Sequence, residues 1–204
     1  EKRETRRTPA LRNKVYERLA EAQGLAEVKD FPGAAAILSD MIAEDGKRAL
    51  NSYELANVYN LFAFLSYATE DYSKSLRYYE QVIAQPDIPL AMEINTRFTI
   101  AQLYFVQEKW QRGIDALLVW FDLNEKPNAG AYVLLAQGYY QVKNFDLALK
   151  NVETAITMHE GEGKLPKEQW YNLARFLYFD KEDYDSALDV LNTLIIYYPK
   201  KQYW

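Results

Sequence analysis

Residues 129–160 read AGAYVLLAQGYYQVKNFDLALKNVETAITMHE. In the first part, Tyr132, Leu135, Ala136 and Tyr139 recur at i, i+3, i+4 and i+7, one face of a helix. In the second part, Ala148, Leu149, Val152, Ala155 and Ile156 do the same. Between them lies KNFD, where Asn144 or Asp146 can cap the second helix. The stretch predicts two helices joined by a tight turn. Neither helix can bury its apolar face alone, so the hairpin needs neighbours.

Neighbours of the same shape run along the chain. KDFPGA (29–34), EDYSKS (70–75), EKWQRG (108–113) and EDYDSA (182–187) repeat the form of KNFDLA (143–148). Each has a charged residue, a polar residue, an aromatic, two more residues and a small one. The aromatics are Phe31, Tyr72, Trp110, Phe145 and Tyr184, separated by 41, 38, 35 and 39 residues. Recurrence on this scale marks a stack of like units. Composition agrees: 8 Gly and 7 Pro in 204 residues leave little material for the turns of a β-protein.

The pattern resembles the tetratricopeptide repeat (TPR), a helical hairpin of about 34 residues with a Trp/aromatic at position 4, small residues at 8 and 20 and an aromatic at 17. The fourth unit matches through Tyr132, Leu135, Ala136, Tyr139, Phe145, Ala148, Val152 and Ala155. The third matches through Ile100, Ala101, Tyr104, Trp110, Gly113 and Leu117, and the second through Tyr59, Phe62, Ala63, Tyr72, Ser75 and Tyr79. The fifth matches through Tyr171, Tyr178, Tyr184, Ala187, Leu191, Leu194 and Pro199. The first keeps Ala22, Leu25, Phe31, Ala34 and Leu38 but has Arg18 and Glu21 at apolar positions, as a capping unit would. The resemblance implies an all-α, right-handed solenoid of antiparallel helix pairs. It would form one superhelix over 9–204, with repeats near 11–46, 56–89, 94–127, 129–162 and 168–201 and the start of a sixth from 202. Residues 1–8 read as a basic, solvated tail.

Two places depart from the pattern. Arg175 stands where the fifth unit should have a small residue. Either it snorkels to solvent past Ala187, or the turn holds one more residue, so that Trp170, Leu173, Ala174 and Leu177 take the core positions and Arg175 turns into the groove. The ending KKQYW repeats the KEQWY that opens the fifth unit. It is therefore read as the opening of a further helix, with Tyr203 and Trp204 packing on the last hairpin or a neighbouring molecule.

Catalytic chemistry is not expected. The one histidine, His159, sits near a helix end and has no second His or Cys to complete a metal site. It reads as a residue that eases the helix dipole. There is no Gly-rich phosphate loop and no nucleophile elbow. No cofactor, metal or catalytic residue is assigned. The absence of Cys excludes disulfides. A net charge of −5 disfavours nucleic acid, and no apolar run approaches the ~18–20 residues of a membrane helix.

TPR proteins bind ligands on the concave side, through the first helix of each repeat. Carried over position by position, the resemblance implies a peptide groove of Asn57, Asn60, Phe64 and Tyr67, then Asn95, Phe98, Gln102 and Phe105. It continues through Val133, Gln137 and Tyr140 to Asn172, Phe176 and Phe179. Amides can pair with the backbone of an extended peptide, and interleaved aromatics can take apolar or proline side chains. TPALRNKVYERLAEAQ near the start and YYPKKQYW at the end resemble proteobacterial periplasmic TPR proteins found beside TonB, ExbB and ExbD. That resemblance implies a periplasmic, non-catalytic scaffold with TonB or another envelope protein as partner; otherwise the chain is cytoplasmic. Two other readings remain open here: the targeting array of a larger envelope or cell-wall enzyme, and a self-associating solenoid.

The small eighth and twentieth positions generate one test. Ala148→Leu overpacks the hairpin contact and is expected to cost about 1–3 kcal/mol, read as a lowered melting midpoint.

Overall fold

The computed structural model describes residues 9–86 and 88–203. The tail 1–8 and Trp204 lie outside the described residues. Among the described residues there are ten α-helices, two short 3-10 turns (Gly46–Arg48 and Lys201–Tyr203) and no strand. The helices are α1 (Asn13–Glu27), α2 (Phe31–Ala43), α3 (Ser52–Ala68), α4 (Tyr72–Ala84), α5 (Leu90–Val106), α6 (Trp110–Leu123), α7 (Ala129–Gln141), α8 (Phe145–Gly161), α9 (Glu168–Asp180) and α10 (Tyr184–Tyr197). They group into two compact units that divide between Gln107 and Glu108. In the first, α1 pairs with α2 and α3 with α4, and α5 packs on α4. In the second, α6 packs on α7, α7 pairs with α8 and α9 with α10, and α9 packs on α8.

Each residue of the recurrent string has a distinct task at the turn. The leading charged residue is left-handed: φ is 64° at Lys29, 60° at Glu70, 55° at Glu108, 59° at Lys143 and 61° at Glu182. Glycine is the usual residue there, since other residues pay a steric cost in that region. Backbone bonds of the Schellman type hold the turn, as in Asn144 N–H to Tyr139 O (2.8 Å) and Lys143 N–H to Tyr140 O (2.9 Å). The polar residue that follows caps the second helix. Asp30 accepts from Gly33 N–H, Asp71 from Lys74, Asn144 from Leu147 and Asp183 from Ser186. Asn144, rather than Asp146, is thus the cap in the fourth hairpin.

Small residues then let the two helices close. Ala34, Ser75 and Ala148 are fully buried, and the Ser75 hydroxyl donates across the pair to Ala63 O at 2.9 Å. The first helices carry a second regularity that the sequence reading passes over. Their third, seventh and tenth positions are buried: Val58, Phe62 and Leu65 in α3, Thr96, Ile100 and Leu103 in α5, and Ala131, Leu135 and Gly138 in α7. In α9 the same positions are Trp170, Ala174 and Leu177. In α3 and α9 this ridge seats on the preceding hairpin. Val58, Phe62 and Leu65 share a core with Ala22, Ala34, Leu38 and Met41, and Trp170, Ala174 and Leu177 share one with Ala136, Ala148 and Val152. In α1 the ridge positions are Glu17, Glu21 and Gly24, and all are exposed.

The approach to α3 rests on an ion pair. Glu54 is fully buried. Its oxygens accept from Arg12 N–H (3.1 Å), Arg12 Nε (2.9 Å), Arg12 Nη2 (2.7 Å) and Asn51 N–H (3.0 Å). Asn51 in turn accepts from Glu54 N–H at 2.9 Å, completing a capping box. Burial alone would raise the Glu54 pKa, but the hydrogen bonds from Arg12 and Asn51 outweigh it and hold the carboxyl below its ordinary value. A carboxyl lowered in the folded state stabilises the fold above its unfolded pKa, and that contribution is lost as pH falls through the lowered value. Glu54→Gln is therefore expected to cost about 1–3 kcal/mol at neutral pH. Melting curves of the two proteins should converge in acid.

Candidate functional site

The sequence-derived groove residues do not share one fate. On α3, Asn60, Phe64 and Tyr67 are exposed along one face, and on α5 Asn95 and Gln102 are exposed. On α7, Gln137 and Tyr140 are exposed, and on α9 Phe176 and Phe179. These nine side chains are accessible to a ligand. Asn60 and Asn95 have no side-chain hydrogen-bond partner among the described residues.

Phe105 and Val133 are corrections: each is only 8% exposed, so neither lines an open surface. Both fall at the border between the outward face and the buried stripe, where packing neighbours decide the outcome. Phe98 is half-buried. Asn57 and Asn172 are also half-buried, and their amides are committed within the fold. Asn57 Nδ2 donates to Tyr53 O at 2.7 Å, the back-bonding common for Asn inside a helix. Asn172 Nδ2 donates to the Tyr203 hydroxyl at 2.7 Å and to Glu168 O at 3.2 Å.

At the turn edge of α3, α7 and α9 lies an arrangement absent from the sequence reading. Tyr67 packs on Tyr72, with ring centroids 5.6 Å apart. Tyr140 packs on Phe145 at 5.8 Å and Phe179 on Tyr184 at 5.4 Å. All are tilted or edge-to-face, the favoured geometry for aromatic pairs. The aromatic of the string buttresses an exposed ring of the first helix. The signal was legible as aromatics at i and i+5 across three turns.

The fifth hairpin differs from the others. All three described residues of its turn, Lys181, Glu182 and Asp183, match the three-residue turns elsewhere, so no residue is inserted and Arg175 holds the eighth position. Its guanidinium lies over the Phe176 ring, 4.7 Å from the centroid. Between α9 and α10 a cleft of about 450 Å³ opens, lined by Phe176, Phe179, Tyr184, Ala187, Leu188 and Leu191 beside Arg175.

Below the cleft, Tyr203 is buried with Tyr171 and Leu194, and its hydroxyl donates to Glu168 Oε1 at 2.6 Å. The hydrogen bond from Lys200, then that from Tyr203, holds Glu168 below the ordinary carboxylate value. Tyr178 and Tyr171 donate to Glu153 and Glu160 of α8. Burial first, then those carboxylates, pushes both phenols above their usual range. These bonds tie α9 to α8 and serve packing.

Among the described residues no group of His, Asp and Glu is arranged to hold a metal ion. His159 lies in the last turn of α8 with its ring 4.5 Å from that of Trp170. No described helix is long and apolar enough to cross a membrane.

No family model matches the sequence, and no curated protein matches it. Solved structures do match the fold. YrrB, a TPR protein with an unusual peptide-binding site, superposes with a TM-score of 0.69 at 17% identity, covering 94% of this chain and 91% of YrrB. MamA from Desulfovibrio magneticus RS-1 superposes at 0.67 and 11% identity, over 91% of this chain and 96% of MamA. The apo form of RapI gives 0.67 and 12% identity, over 90% of this chain and 69% of RapI. At these identities the likeness establishes the fold: antiparallel helix pairs packed as in TPR solenoids.

Proposed function

We propose that this chain is a non-catalytic scaffold whose first helices bind an extended, roughly neutral polypeptide segment. One observation carries the reading. In the first unit Asn60, Asn95 and Gln102 stand exposed beside exposed Phe64 and Tyr67, and in the second Gln137 stands exposed beside exposed Tyr140, Phe176 and Phe179; hairpin packing uses none of these amides. An amide supplies both a donor and an acceptor to a peptide backbone. Rings held by a second aromatic lose little freedom on binding, which favours affinity. The fold shared with YrrB, which has a peptide-binding site, supports the same reading.

In its narrower form the scaffold is periplasmic and its partner is the proline-rich periplasmic part of TonB, or another envelope protein. The terminal segments that resemble TonB-associated TPR proteins support this, as does the fit between proline rings and aromatic faces. A pull-down from periplasmic extract should recover an envelope protein. Recovery of cytoplasmic proteins alone would exclude the narrower form.

The general form is tested with a displayed peptide library selected on the immobilised protein. Asn60→Ala combined with Asn95→Ala should weaken the selected peptides about tenfold, the worth of two hydrogen bonds. Far-UV circular dichroism and melting midpoint should stay unchanged. Undiminished affinity would remove these amides from the site.

A further inference from the structure

Where the start of α7, the end of α8 and the start of α9 meet, a pocket of about 310 Å³ opens over Trp170. Its wall carries Asn128, His159, Glu162, Lys164 and Lys167. The lining lies within residues 128–170, and described helices both precede and follow it in the chain.

Donors crowd this pocket and acceptors are few. His159 Nδ1 is buried and has no hydrogen-bond partner among the described residues, a cost that a ligand can remove. The ring is held against that of Trp170. Lys167 pairs with no carboxylate among the described residues, and its ammonium lies 5.8 Å from the centre of the Trp170 ring. Lys164 spends one of its N–H donors on Glu162, at 2.7 Å. Glu162 thus cancels one lysine and leaves the charge of the other. The neighbouring carboxylates are taken up elsewhere: Glu160 accepts from Tyr171, and Glu168 from Lys200 and Tyr203. Gly130 stands in the first turn of α7, where a backbone N–H has no partner within its own helix. No side chain covers it, and a Cβ there would meet only the Asn128 side chain, at 3.1 Å.

We propose that this pocket binds a phosphate group, with Lys164, Lys167, His159 Nδ1–H and the Gly130 N–H as its donors. A phosphate brings only acceptors and negative charge, which the wall lacks. The donors come from α7, from α8 and from the segment between α8 and α9, and these separate directions suit a tetrahedral oxyanion better than a planar carboxylate. The same chemistry serves inorganic phosphate and a phosphate monoester. The proposal does not rest on the peptide-binding reading, since none of the exposed amides or rings of that surface takes part.

His159 is the only histidine, so its ring nitrogens give an isolated signal in long-range proton–nitrogen NMR spectra. Inorganic phosphate and methyl phosphate are titrated in turn at constant ionic strength, with acetate and chloride as controls. A phosphate should move the Nδ1 signal saturably toward that of a donating nitrogen, and the controls should not. Saturation by inorganic phosphate alone assigns the free ion, and tighter saturation by methyl phosphate assigns an ester; each sustains the proposal. Lys164→Gln combined with Lys167→Gln should weaken binding about tenfold or more, the loss expected for charged hydrogen bonds. Gly130→Asp should abolish binding without harm to the fold, because aspartate suits the first turn of a helix and repels an anion. Lys150→Gln, exposed on α8 away from the pocket, should change nothing. Circular dichroism verifies the folding of each variant. The absence of a saturable shift with both phosphates overturns the proposal. Acetate binding as tight as phosphate binding overturns it as well, as does phosphate binding that survives the lysine pair or Gly130→Asp.

Discussion

The first helix of a hairpin carries an apolar ridge at its third, seventh and tenth positions, and only the groove of another hairpin can bury it. The rest of the architecture follows from that dependence. Val58, Phe62 and Leu65 of α3 enter the core of the first hairpin, and Trp170, Ala174 and Leu177 of α9 enter that of the fourth. A groove exists only if the two helices forming it stand close, which is why Ala34, Ser75 and Ala148 are small and fully buried. Each hairpin is therefore stable as part of a stack rather than alone.

The same logic frees the opposite face. Since the ridge and the hairpin contact occupy two sides of the first helix, several side chains of the third reach solvent and answer to no packing demand. Asn60, Asn95, Gln102 and Gln137 stand there, although Asn has a low helix propensity. The aromatics beside them are fixed by their ring partners across the turn. A rigid, amphipathic and adaptable surface of this kind suits a polypeptide ligand better than a small reactive one.

Arg175 shows what happens when the rule is broken. A large cation stands at the eighth position, beside a cleft between α9 and α10 in which Leu188 is exposed. The cleft there is chemically distinct, with the guanidinium lying over the Phe176 ring.

The repeat and its helix pairs could be read from residue order alone, and the cap of the fourth hairpin narrowed to Asn144 or Asp146, because periodicity, a turn string and a capping side chain are local properties. Position along the period also marked nine side chains that prove to be exposed on the first helices. Packing between hairpins decided the rest. Phe105 and Val133 have the same nominal phase as open residues, yet neighbouring elements bury them. Asn172 is occupied because Tyr203 returns to it from 31 residues away. Glu54 can be fully buried as a carboxylate beside its capping partner Asn51 because Arg12, 42 residues distant in the chain, pairs with it. Helical phase sets the direction of a side chain relative to its own axis. What that side chain meets depends on the offset between helices, and that offset exists only once the hairpins have packed.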